Sequence, residues 1–144
     1  MKLNSTFVII GAILIILGIL IAVVPQFTNC GSDGKQLELA NGKTTPMKCF
    51  WSGRSEMIPG IILLATGIMF ILSRKKETTL FLSIIGLIAS IFVLLMPLYF
   101  IGICSTPTMI CNTVMKPVVI ILAALAILDL IAGLVFSVRG KDEA

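Results

Sequence analysis

The sequence predicts an all-α polytopic membrane protein: four transmembrane helices in two hairpins, with two disulfide-stapled exoplasmic loops. Three observations predict it. Only 12% of the 144 residues are charged and 58% are hydrophobic, with a mean hydropathy of +1.11. A soluble domain carries about a quarter charged residues to coat its surface, so this surface is matched to lipid. Four apolar runs, each near the ~20 residues that cross a bilayer, alternate with polar segments. All four cysteines fall in two of those segments, Cys30 and Cys49 in one and Cys104 and Cys111 in the other.

The predicted spans are residues 7–25, 57–73, 80–100 and 117–138, with exoplasmic loops at 26–56 and 101–116, all within one membrane domain covering 1–144. Phe7 to Val24 is uninterrupted and too long for a signal-peptide core of about 7–15 residues, so it reads as a retained span. Gly11, Gly18 and Ala22 share one helical face on which another helix can pack closely. Asn29, Gly31, Ser32, Asp33 and Gly34 form a turn cluster, and Leu37–Ala40 followed by Asn41-Gly42 admits a small β-ribbon. Pro59 suits the first turn of the second span, where its missing N–H costs nothing. Gly60 and Gly67 repeat the small-residue face, and Ser83, Gly86 and Ser90 mark one in the third span. Pro117 opens the fourth span.

Orientation rests on basic residues. Lys2, Arg74, Lys75, Lys76, Arg139 and Lys141 crowd three short segments, whereas Lys35, Lys43, Lys48, Arg54 and Lys116 are spread over two longer loops. Density places the first set, and both termini, in the cytoplasm of a multi-pass cell-membrane protein. The cysteines then face outward, where disulfides persist. These cations cap helix ends and form no stripe, so no nucleic-acid partner is expected. The chain contains no histidine, which removes the commonest general base and most zinc sites. No catalytic residue, cofactor or metal is expected.

The two loops echo each other. Each hairpin reads span, proline, cysteine, Met-x-Cys, proline, span: Pro25, Cys30, Met47-x-Cys49, Pro59, then Pro97, Cys104, Met109-x-Cys111, Pro117. That order suggests an internal duplication with both units in the same orientation. Of the three connectivities open to four cysteines, pairing within each loop, Cys30–Cys49 and Cys104–Cys111, needs nothing beyond local geometry. Pairing across the loops would lock the hairpins together. Quinone-linked disulfide-forming enzymes need a Cys-x-x-Cys, and none is present. Met47, Cys49, Met109 and Cys111 supply thioether and thiolate, which suit Cu(I) or another thiophilic ion, although oxidised cysteines cannot ligate. Met47, Trp51, Arg54 and Glu56 make the first loop a candidate binding surface, with Trp51 an interface anchor and Arg54 a partner for headgroups or Glu56.

Asp129 is the charged side chain expected within a span. Ten residues from Arg139 at ~1.5 Å each put it about 15 Å deep, near the midplane. A carboxylate there costs at least ~2.5–3.5 kcal/mol. It is therefore expected to face protein, largely protonated, and to hydrogen-bond Thr66 or Ser90 at the same depth.

The run Met47-Lys-Cys49-x-Trp51 with its following glutamate and apolar span, then Ile101-Gly-x-Cys104 and Met109-x-Cys111 ending at Lys116-Pro117, resembles one family across essentially the whole chain. It is a family of uncharacterised small prokaryotic four-span membrane proteins, a domain of unknown function. Members often carry a polar residue, commonly histidine, after the Met-x-Cys cysteine; Phe50 departs from that, which weakens a metal reading. The resemblance implies a setting like that of small partners of ABC-type export permeases. The functional expectation is a non-enzymatic accessory or interaction subunit of a membrane transporter complex, in contact with lipid and with a protein partner or a second copy. The alternative is a thiol-disulfide or soft-metal-handling protein using the loop cysteines.

Overall fold

The chain folds as a four-helix bundle in which two helical hairpins lie side by side. The computed structural model describes residues 2–73 and 75–139, with side chains from Ser5 onward; Arg74, Lys141 and the side chain of Lys2, used above for orientation, lie outside the described residues. The elements are α1 (Lys2–Phe27), β1 (Gln36–Glu38), β2 (Thr44–Pro46), α2 (Lys48–Ser55), α3 (Met57–Leu72), α4 (Lys76–Leu95) and α5 (Lys116–Arg139), with π-helical turns at Met96–Phe100 and Cys111–Met115. Four stretches are long and apolar enough to cross a membrane: Ser5–Phe27, Lys48–Leu72, Lys76–Phe100 and Cys111–Arg139.

The apolar surface follows from that setting. Leu14, Ile21, Leu63, Phe70, Val93, Val119 and Leu130 are wholly buried between helices, while Ile9, Ile16, Ile61, Phe81 and Leu128 project outward. A helix apolar on every face has no aqueous side. α1 packs along α3, and α4 along α5. Small residues set the first spacing: a Cβ on Gly11 would meet Gly67 O at 2.7 Å, and one on Gly18 would meet Leu64 N at 2.7 Å. The two backbones therefore touch along the glycine face, as small-residue interfaces in membranes allow.

The admitted β-ribbon is present. β1 and β2 pair antiparallel with Leu37 opposite Thr45, and Gly42, at φ +73°, takes the left-handed position in the turn between them. Two loop boundaries differ from expectation. Residues 111–115, assigned to the second loop, form the π-helical turn that leads into α5. Residues 48–55, assigned to the first loop, are helical, because Glu56 N–H donates to Ser52 O at 3.3 Å and Gly60 N–H to Glu56 O at 3.1 Å, joining α2 to α3. Glu56 thus sits inside a continuous helical run, and Asp129 is not the only acid in a spanning segment.

Candidate metal centre

All four cysteines meet at the loop end of the bundle. Cys30 is held just past α1 by Asn29, whose Nδ2 donates to Pro25 O at 3.0 Å and Gln26 O at 2.8 Å and whose Oδ1 accepts from Ser32 N–H at 3.0 Å. Gln26 Nε2 donates to Gly53 O at 2.7 Å, tying α1 to α2. Gly31 lets the Phe50 ring close over the chain, since a Cβ there would lie 2.7 Å from it. Cys49 lies in the first turn of α2, and Cys111 opens the π-helical turn that leads into α5. The second helical run of each hairpin therefore begins at a cysteine, with its positive dipole end toward the cluster. Cys104 follows Gly102, whose φ of +73° turns the chain back over the bundle.

The resulting contacts cross between hairpins. Cys30 Sγ lies 3.0 Å from Cys111 Sγ, Cys49 Sγ lies 3.2 Å from Cys104 Sγ, and Cys30 and Cys104 are 3.9 Å apart. The four sulfurs all lie within 4.8 Å of one another. No disulfide joins the described residues; all four cysteines are free, with Cys104 the most accessible and the others buried. The expected loop staples Cys30–Cys49 and Cys104–Cys111 are therefore corrected: each cysteine has its shortest contact with one from the other hairpin. Local loop geometry lost to bundle packing, which brings the start of each second helix against the end of the opposite first helix.

Two thioethers complete the set. Met109 Sδ is 3.9 Å from Cys30 Sγ and Met47 Sδ is 4.0 Å from Cys104 Sγ. Exchanging the hairpins maps each contact onto the other: first cysteine with second cysteine of the opposite half, and methionine with first cysteine of the opposite half. This pairing matches the repeat seen in the sequence. Burial, together with the side chains of Cys111 and Cys49, pushes the Cys30 thiol well above its usual range. Burial opposes ionisation of Cys104 too, but hydrogen bonds from the Cys49 and Cys30 side chains outweigh it and hold that thiol below its usual range. Cys104 is thus readier than Cys30 to become a thiolate, the form that ligates and attacks.

Four thiolates around one ion at metal–sulfur distances of about 2.3 Å stand about 3.8 Å apart. The observed separations of 3.0–3.9 Å, within the 4.8 Å limit, surround that value. The donor set fits a thiophilic metal with small side-chain adjustments, against the expectation of no metal ligands in this chain. The order of cysteines along the sequence was visible, but their convergence was not; the shared Met-x-Cys spacing was the signal.

The remaining expected site residues divide. Met47 joins the cluster, while Trp51 and Arg54 are exposed on α2, with Arg54 over the Phe50 ring at 5.8 Å. Glu56 is wholly buried, and neither of its carboxylate oxygens nor the Ser52 hydroxyl has a hydrogen-bond partner among the described residues. It neither pairs with Arg54 nor presents a surface. Ser52 and Glu56 follow Cys49 at helical spacing, so an unsatisfied polar stripe descends from the thiols into the bundle. Replacing Glu56 by Leu is expected to raise the thermal midpoint, by relieving a burial cost of about 1–3 kcal/mol. A lower midpoint for Glu56→Leu with a wild-type midpoint for Glu56→Gln would instead mean that its hydrogen bonding stabilises the fold. Deeper in the bundle, Thr66 Oγ1 donates to Ile62 O at 2.7 Å and Ser90 Oγ to Gly86 O at 2.9 Å. Both hydroxyls are spent on their own helices, and Asp129 Oδ2 is buried without the expected partner.

The family model for a domain of unknown function, DUF4418, matches residues 8–137. No curated protein and no solved structure matches the chain.

Proposed function

The chain belongs to that family, and we propose that it is a non-enzymatic multi-pass membrane protein that binds one thiophilic metal ion between its two hairpins. The single observation carrying this reading is the convergence of four free thiols within 4.8 Å, two from each hairpin. Cys30, Cys49, Cys104 and Cys111 would be the ligands. Each would lose a proton as its sulfur binds, and the ion would tie the hairpins together, so binding free energy becomes stability. We place the cluster on the exoplasmic face of the cell membrane and both termini in the cytoplasm, on the density of basic residues at the other end. Thiols on that face are kept from oxidation by ligation.

Cd(II) is the probe, because its thiolate complexes absorb in the near ultraviolet. Titrating the full chain, purified anaerobically in mild detergent, is expected to saturate at one ion per chain and to shield all four thiols from Ellman's reagent. Cys49→Ser should lose most of the absorption. Thiols that stay fully reactive at saturating Cd(II) would sink the proposal.

A second reading rests on Trp51 and Arg54, which stand exposed on α2 beside the cluster. They would be the contact surface of an accessory subunit in a transporter complex, with the metal-bound thiols holding that surface in place.

A further inference from the structure

We infer that the ion is Cu(I), selected by Met47 and Met109; this rests on the four-thiol reading above. Cysteine thiolates alone do not discriminate, since Zn(II), Cd(II) and Cu(I) all accept four or fewer of them. Thioethers do discriminate: they are neutral, soft donors that bind Cu(I) and leave Zn(II) to thiolate and imidazole. Here each half of the protein places one thioether sulfur against the first cysteine of the other half, Met109 Sδ at 3.9 Å from Cys30 Sγ and Met47 Sδ at 4.0 Å from Cys104 Sγ. An incidental apolar methionine could occur once; the same contact on both sides of the hairpin exchange is a constructed feature. Both methionines are half-buried and pack against the core, so their sulfurs are held near the cysteines.

The competing donors are missing. The chain has no histidine, and the only side chains of the histidine, cysteine and carboxylate classes grouped at this place, among the described residues, are the four cysteines. Four cysteines alone would also serve Zn(II); it is the two added thioethers, making six sulfurs in all, that suit a softer ion.

Exposure suggests a direction of transfer. Cys104 and Met47 are partly accessible, whereas Cys30, Cys49 and Cys111 are buried. Cu(I) would first meet the Met47–Cys104 side, form one thiolate and one thioether bond, and then exchange onto the buried thiols. Each exchange trades one copper–sulfur bond for another: a thiol that displaces a thioether releases its proton to solvent, and one that displaces a thiolate passes its proton to the sulfur that leaves. The ion arrives and stays as Cu(I), so no electron moves and no oxidant is required.

The test uses the full chain in detergent under anaerobic conditions. Cu(I) is titrated against bicinchoninate, and Zn(II) separately against a zinc chelator, for wild type and for the Met47→Leu/Met109→Leu double variant. Leucine conserves volume, so the bundle should keep its thermal midpoint. The expected result is a loss of roughly tenfold or more in Cu(I) affinity, the scale seen when groups around a metal are altered, with Zn(II) affinity unchanged. Equal loss for both metals, or no loss for either, overturns the thioether assignment while leaving the four-thiol site standing. Failure of wild type to bind either metal overturns the four-thiol reading itself.

Discussion

Diamide treatment of the metal-free, detergent-solubilised chain is expected to produce two cross-links, Cys30–Cys111 and Cys49–Cys104, and to raise the unfolding midpoint sharply. In each reaction two thiols lose two protons and two electrons to the azo bond of diamide, and one S–S bond forms. The sulfurs start 3.0 and 3.2 Å apart and need to close by about 1 Å to reach a bond of about 2.05 Å. The partners are 81 and 55 residues apart in sequence, so the first bridge to form removes the entropy of a long open loop, worth about 4 kcal/mol. Staples within loops would restrain far shorter segments and leave the hairpins independent. Peptide mapping without reductant decides between them: recovery of Cys30 joined to Cys49, or Cys104 joined to Cys111, in place of the crossed pairs would show that the bundle does not hold the hairpins in this arrangement.

The second large effect is expected at Gly18. A Cβ added there would stand 2.7 Å from Leu64 N, 2.9 Å from Gly60 O and 3.1 Å from Leu64 Cα, all backbone atoms that no rotamer change can move aside. Alanine would gain up to about 1 kcal/mol of helix propensity, yet α1 would have to lift from α3 along its length. Gly18→Leu is therefore expected to cost about 3 kcal/mol or more, read as a lowered midpoint and loss of the monodisperse detergent peak. Gly133 supplies the control, because a Cβ there meets only Phe70 and Ser83 side-chain atoms at 3.5 Å, an ordinary contact. Gly133→Ala should change stability by no more than about 1 kcal/mol. If Gly133→Ala proved as damaging as Gly18→Ala, close backbone approach would not be what these glycines provide.

Hydropathy and small-residue spacing determined a great deal without any structure. The four spanning runs, the packed face of Gly11, Gly18, Gly60 and Gly67, and the hairpin turn at Asn41-Gly42 are local or periodic features, and periodicity survives folding. The shared order of proline, cysteine and Met-x-Cys in the two loops was equally visible, because it is a property of the chain itself. What neighbours what across the bundle was decided only by the tertiary structure. Cys30 lies closest to Cys111 rather than to Cys49, because helix packing sets the distances between loop ends, whereas spacing along the sequence bounds only what a loop could reach. Glu56 looked like a surface residue beside Arg54 in a polar segment; the helix that begins at Lys48 carries it inward, where no donor among the described residues pairs with it. Thr66 and Ser90 stood level with Asp129 by counting, but a hydroxyl on a helix has a carbonyl of its own one turn away, and both took that nearer acceptor. The sequence by itself thus determined that two sulfur-bearing loops cap a four-span bundle. Only tertiary packing, which is indifferent to sequence distance, gathered six of their sulfurs into one place.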